Sequence, residues 1–285
     1  MEPYPDIWIK RAENLWLQSL YANAEELFRS SFLPSHDHSH HLRVWNIAKQ
    51  LLLELADTGH ALSSSLVEGV LIACFFHDLG MVQSTRVDHG LLGKDLCQSW
   101  FSEGGRKAPP SMDRILYAIE MHDRKEARYY SDPESADSPG IIGILAVADD
   151  LEAMGVIGIY RYAEIYLQRG ISLEELGKRI LLNASQRFSN LTSSGKFPHM
   201  IQIYREQYDE LIHFFTQYNL QVEQIEQAEK AEEGQLGVIN YIRIRSMEKK
   251  VRPEELSSLA EKEGKDVMLR EFFRRLRKEL QNARS

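Results

Sequence analysis

This chain has little cysteine. Its 285 residues carry two, Cys74 and Cys97. Both lie in apolar, helix-patterned surroundings, so buried free thiols are expected rather than a bridge. That fits a reducing compartment, and a cytoplasmic protein is expected. There is no excess of basic charge either: 34 basic against 42 acidic residues give a formal net charge of −8. This argues against a nucleic-acid coat or a binder of acidic membranes, while leaving room for a local basic pocket. The opening Met1-Glu2-Pro3-Tyr4-Pro5-Asp6 lacks a secretory signal pattern. No apolar run approaches the roughly 20 residues needed to span a bilayer. Internal repeats and a convincing strand pattern are also missing, although short β-favouring stretches such as 236–244 occur.

What is present is helical periodicity. Hydrophobic residues make up 43% and charged residues 27%, an ordinary globular balance. Residues 7–32 place apolar positions at helical spacing until Phe32-Leu33-Pro34-Ser35 breaks the run. A second helix, 39–56, carries Val44, Ile47, Leu51 and Leu55 on one stripe. A third starts at Ser65, with Glu68 completing a capping box, and ends at Gly80 as a C-cap. Further helices are predicted over 88–102, from an Ser111 N-cap to about Asp123, and over 141–154, where Pro139 suits the first turn. A polar loop with Asp132-Pro133 and Ser138-Pro139-Gly140 precedes the last of these. Helices at 156–169, 172–190 and 198–218 follow. The expected fold class is all-α. Residues 1–35 supply an N-terminal helix packing on the core, 36–218 a central helical domain, and 219–285 a charged helical extension. In that extension Leu269, Phe272, Phe273, Leu276 and Leu280 form a stripe among Arg270, Arg274, Arg275, Arg277 and Lys278. Core packing or self-association is the expected use of the stripe, ahead of nucleic-acid contact.

One apolar helix ends unusually. Val70-Leu71-Ile72-Ala73-Cys74-Phe75-Phe76 runs directly into His77-Asp78. A buried segment ending in two strong metal-liganding side chains calls for a compensating cation. Imidazole and carboxylate together suit divalent transition metals. On a regular helix adjacent residues diverge by about 100°, but at a helix terminus both can reach one ion, or one can bridge two. Other helices offer partners. His40 shares a face with Val44, Ile47 and Leu51. His89 opens the fourth helix. His122 follows Ile115 and Ile119 on an apolar face, and Asp149 follows Ile142 and Leu145. Five helices thus each aim ligand-type side chains inward, as in bundle-core metal sites.

The order His40, His77-Asp78, Asp149 resembles the HD-domain superfamily of metal-dependent phosphohydrolases, over roughly residues 30–215. His36-Asp37-His38-Ser39-His40-His41-Leu42-Arg43-Val44 is similar to that family's opening segment. Ala73 to Gly80 is similar to its His-Asp segment, and Ala148-Asp149-Asp150-Leu151-Glu152-Ala153-Met154-Gly155 to its closing Asp segment. The resemblance implies an all-α bundle enclosing the metal. His89 and His122 match the extra histidines of the two-metal branch. It therefore implies one ion on His40, His77, Asp78 and Asp149, and a second on His89, His122 and a bridging Asp78. The cofactor is expected to be one or two divalent ions, of Fe, Mn, Mg, Zn, Ni or Co. His36, His38 and His41 are expected at turn or rim positions. Gly80-Met81-Val82 stands where the stringent-response nucleotide hydrolases carry acidic residues. The Gly-Tyr-Pro motif of the cyclic-dinucleotide phosphodiesterase branch is missing.

The implied activity is hydrolysis of a phosphate mono- or diester, a nucleotide or other small phosphoester, by a metal-activated water. Asp78, Lys94, Arg43 and Arg124 are the candidate catalytic residues, the last three as cations for developing phosphoryl charge. Asp150 is either an orienting or a solvated carboxylate. Two alternatives share the ligand set: a di-iron oxygenase on the same fold, and a non-catalytic metal or nucleotide sensor. A small phosphorylated substrate is the expected partner, with neither membrane nor nucleic acid, and self-association through the C-terminal helices is the expected assembly.

Overall fold

A computed structural model describes residues 5–86, 88–124, 131–132 and 135–282. Met1–Tyr4 of the acidic N-terminus and Pro133 of the polar loop lie outside them. The fold is all-α, as expected. In chain order the elements are α1 (Pro5–Ala12), a π-helical turn (Glu13–Leu17), α2 (Gln18–Phe28), α3 (His38–Asp57), α4 (Ser64–Phe76), a 3-10 turn (Leu79–Val82), α5 (His89–Glu103) and α6 (Met112–Met121). Then come α7 (Ile141–Glu152), α8 (Gly155–Gln168), α9 (Leu173–Ser194), α10 (Pro198–Gln224), α11 (Gly234–Tyr241), α12 (Pro253–Glu263) and α13 (Val267–Asn282). The polar loop before α7 holds the strands among the described residues, an antiparallel pair β1 (Ser131–Asp132) and β2 (Ser135–Pro139). Pro139 therefore ends a strand rather than opening a helix. The β-favouring stretch 236–244 is helical, divided between α11 and a π-helical turn.

The chain divides into two compact units, Met1–Leu151 and Glu152–Ser285. In the first, α4 is packed by α1, α2, α3, α5 and α6, and Val70 through Phe76 have no exposed surface. An apolar stretch surrounded on all sides needs no polar face. This corrects the expectation about apolar runs. Ser64–Val82 spans 19 residues and is apolar enough to cross a membrane, but 78% of it is buried inside the protein. Its start also differs from the sequence reading. The N-cap is Ser63, whose hydroxyl accepts from the Leu66 N–H, while Glu68 accepts from the Trp16 indole instead, at 2.6 Å.

Its end matters more. His77 keeps helical backbone angles (φ −56°, ψ −43°), whereas Asp78 leaves them (φ −105°, ψ 2°). That break lets two adjacent side chains turn toward one place. Gly80 is not a C-cap. It lies inside the 3-10 turn, where a Cβ would collide with the His89 carbonyl, and so lets the start of α5 lie directly against the end of α4.

In the second unit, α8 through α13 build one core that includes Tyr160, Phe215, Tyr218, Ile239, Phe273 and Leu276. The expected boundary near 218 therefore falls inside a shared core: α10, α11 and α13 bury apolar faces on one another. The α13 stripe of Leu269, Phe272, Phe273, Leu276 and Leu280 is buried there, which is the core-packing reading. Three of its five basic residues are engaged at home: Arg270 donates to the Gly264 and Lys265 carbonyls, Arg274 pairs with Glu271 and Arg275 with Glu210. Phe273→Ala is expected to cost about 3–5 kcal/mol in denaturant unfolding, whereas Arg277→Ala, on the exposed side, is expected to stay within about 0.5 kcal/mol.

Candidate metal centre

The structure brings all six predicted ligand-type side chains together in the first unit. His40 comes from the first turn of α3, which Asp37 caps by accepting from the Ser39 N–H at 2.9 Å and the His40 N–H at 3.4 Å. His77 and Asp78 come from the end of α4, His89 from the first position of α5, His122 from just past α6, and Asp149 from α7. None is more than 7% exposed. Their donor atoms form two groups that share one carboxylate: His40, His77, Asp78 and Asp149; and Asp78, His89 and His122.

Asp78 divides its two oxygens between them. Oδ2 lies 3.5 Å from Nε2 of both His40 and His77. Oδ1 lies 3.3 Å from His89 Nε2 and 3.2 Å from His122 Nε2. Asp149 Oδ1 completes the first group, 3.8 Å from His40 Nε2 and 3.9 Å from His77 Nε2. Ligand atoms about 2.1 Å from a common ion stand about 3.0–3.5 Å apart, which the Asp78 spacings match; the Asp149 oxygen stands slightly wider, within reach of the same group.

Tautomers supply a second fit. Nδ1 of His77 donates to the Cys74 carbonyl (2.9 Å), Nδ1 of His89 to the Arg86 carbonyl (2.5 Å) and Nδ1 of His122 to the Ile119 carbonyl (2.8 Å). Each carbonyl lies three residues before its histidine. A neutral imidazole that donates from Nδ1 presents a bare lone pair at Nε2. His89 and His122 thus set two such lone pairs 3.3 Å apart, both beside a carboxylate oxygen. Lone pairs do not gather in a buried space without a positive charge between them, and only a proton or a metal ion fits there. Backbone carbonyls on the far nitrogen are the usual orienting device for metal-binding histidines.

The electrostatics show the same demand. Burial pushes the Asp78 carboxyl up, but the facing His77 and the imidazoles of His122, His40 and His89 that reach its oxygens outweigh it and hold the group well below the ordinary range. Burial lowers His89, yet its hydrogen bond to Asp78 and that group's charge raise it to about 9. Burial also lowers His77.

The remaining sequence candidates scatter. Arg43 is buried and donates to the Ser39 hydroxyl (2.9 Å), which donates to Asp37 (2.5 Å). Lys94 is committed to Glu120, Nζ to Oε2 at 2.8 Å. Arg124 is exposed beyond α6. Asp150 is buried rather than solvated. His36 lies in the turn before α3, one of the two positions expected of it, though buried there; for His41 the expectation is corrected, since it is buried within α3. His36 bonds Ser35 through Nδ1 at 2.8 Å and packs on the His40 ring. His41 donates to the Cys74 carbonyl at 3.0 Å, and burial, then the neighbouring His77, lowers it to about 3. His38 is half-buried with its edge against Tyr21.

Residues 38–154 match the family model described as HD domain. No curated protein and no solved structure matches.

Proton and metal compete for the same lone pairs, so the pH response has a defined sign. With metal chelated, His89 is protonated in the folded chain up to about pH 9 and in the unfolded chain only below about 6.5. Its stabilisation is present below pH 6.5 and is lost as pH rises toward 9. His77, held low, acts oppositely and costs stability as pH falls below 6.5. The expected outcome in thermal melts is that the gain in Tm on adding Mn2+ widens from pH 6.5 to 9. A gain that narrows over that window contradicts the His89 assignment.

Proposed function

From the match of residues 38–154 to the HD domain we propose that the chain is a metal-dependent hydrolase of a phosphate mono- or diester, a nucleotide or other small phosphoester. The observation that carries this reading is the sharing of Asp78, one oxygen toward His40 and His77, the other toward His89 and His122. When bound, divalent ions at such a pair of sites supply Lewis acidity and lower the pKa of a coordinated water. Fe, Mn, Mg, Zn, Ni and Co are all compatible with this donor set, although the four imidazoles favour the transition metals over Mg.

The protein's own contribution is positional. His40, His77 and Asp149 would hold one ion, His89 and His122 the other, and Asp78 would fix their separation. The carbonyls of Cys74, Arg86 and Ile119 hold a proton of three of the imidazoles at Nδ1 and so turn Nε2 toward the ions. Arg43, three residues after His40 and buried beside it on α3, is the cation assigned to the phosphoryl oxygens, where a preorganised charge counts most. The Ser39 hydroxyl and the Asp37 carboxylate orient its guanidinium. Arg124, exposed two residues after His122, is assigned to drawing the anionic substrate in. Lys94 is not given a phosphate role, because its ammonium is held by Glu120. Two buried free thiols support a reducing, cytoplasmic setting.

The test is metal analysis of the purified protein, followed by a panel of phosphate mono- and diesters with chelator controls. Metal-dependent phosphate release is expected. Asp78→Ala and His77→Ala proteins should fold, lose metal, and lose at least about 100-fold in turnover, the upper end of what even outer-shell changes cost. Arg43→Ala should keep its metal and lose about 100-fold in kcat/KM. Bound iron with O2 consumption and no phosphate release would replace this reading by the oxygenase alternative. Bound metal with neither activity would replace it by the sensor.

A further inference from the structure

His89 and His122 come from different helices, and something must hold those helices in register. Gly90 directly follows His89. A Cβ at that position would stand 2.8 Å from the Glu120 carbonyl oxygen and 3.1 Å from the Ile119 carbonyl oxygen. Real Cβ atoms essentially never sit 2.8 Å from a backbone oxygen, and 3.1 Å is a tight contact, so any larger residue would push α5 and the end of α6 apart. The Ile119 carbonyl is also the acceptor that orients His122, through Nδ1 at 2.8 Å. One turn later on α5, Lys94 reaches the same partner residue, its Nζ 2.8 Å from the Glu120 carboxylate. Glu120 is therefore gripped twice, at its carbonyl by the absence of a side chain and at its carboxylate by an ion pair. One turn on, along the same face of α5, a Cβ on Gly93 would overlap the Phe76 carbonyl and stand 3.2 Å from the His77 carbonyl and 3.3 Å from the Ile119 side chain.

We propose that Gly90, Lys94 and Glu120 are positioning residues that clamp α5 to α6 and thereby set the His89–His122 half of the centre, independently of the half built from His40, His77 and Asp149. The inference rests on the two-ion reading above. Gly90 acts by permitting the close approach, and the Lys94–Glu120 pair by opposing separation. Gly93 differs, because its clash falls on the backbone that carries His77. The two glycines, three residues apart, therefore govern different parts of the site. Gly90→Ala should disturb one ion and Gly93→Ala both.

The experiment titrates full-length, metal-free protein with Mn2+, followed by calorimetry and by electron paramagnetic resonance, with far-UV circular dichroism as the folding control. The wild-type protein is expected to take two Mn2+ and show a spin-coupled pair. Gly90→Ala should retain the first Mn2+, weaken the second by about 10- to 100-fold, within the range of outer-shell changes, and show an isolated-ion spectrum. Lys94→Met should weaken the second ion by about two- to fivefold, as expected for a part-exposed pair, and the exchanged pair Lys94→Glu with Glu120→Lys should restore it. If Gly90→Ala does not fold, Lys94→Met and its exchange carry the same test. Two ions with wild-type affinities in the folded Gly90→Ala or Lys94→Met protein overturns the clamp alone. A wild-type protein that takes one ion or none overturns the two-ion reading, and the clamp with it.

Discussion

The carboxylate of Asp78 lies in a nearly dry interior, with an imidazole pair facing each of its oxygens. The rest of the first unit is arranged around that fact. Four Nε2 atoms and two carboxylates converge, and three of the imidazoles are held by backbone carbonyls in the tautomer that exposes a lone pair. Such a gathering is costly unless positive charge fills it. In the metal-free chain a proton does so, which is why His89 is raised while Asp78 is depressed. A divalent ion in each group would do so more completely.

The scaffold meets this demand with backbone geometry more than with side chains. α4 can be apolar on every side because other helices enclose it, and it stops being helical at the residue where a second ligand is needed. His77 keeps the helical direction and Asp78 abandons it, so neighbours that would diverge on a helix converge. Asp37, as the cap of α3, fixes His40 at a helix start and anchors the hydrogen-bonded path from Ser39 to Arg43. Gly80, Gly90 and Gly93 remove side chains where the α4, α5 and α6 backbones meet. That packing is what brings His89 and His122 within reach of the Asp78 oxygen turned away from His40.

Much of this was legible in the sequence. Apolar periodicity placed His40, His122 and Asp149 on inward faces, and the abrupt ending of Val70–Phe76 in His77-Asp78 marked the centre. What could not be read are facts of tertiary contact. A glycine in Gly90-Leu91-Leu92-Gly93 has no pattern that distinguishes a close approach from a flexible turn. Lys94 looked like a phosphate ligand because nothing local reveals Glu120, 26 residues away. The cap is Ser63 rather than Ser65, and Glu68 closes no capping box but accepts from Trp16, 52 residues distant, a partner that no local pattern reveals. The division after Leu151 was hidden because charge density suggested a boundary near 218, whereas the apolar faces of α10, α11 and α13 belong to one core.

The central claim is that Asp78 bridges two cations. Anomalous diffraction from crystals grown with Mn2+ tests it directly. The result expected is two peaks per chain, one between Asp78 Oδ2 and the His40–His77 pair, the other between Asp78 Oδ1 and the His89–His122 pair. A single peak confined to one side of Asp78, or none near it, would contradict the account.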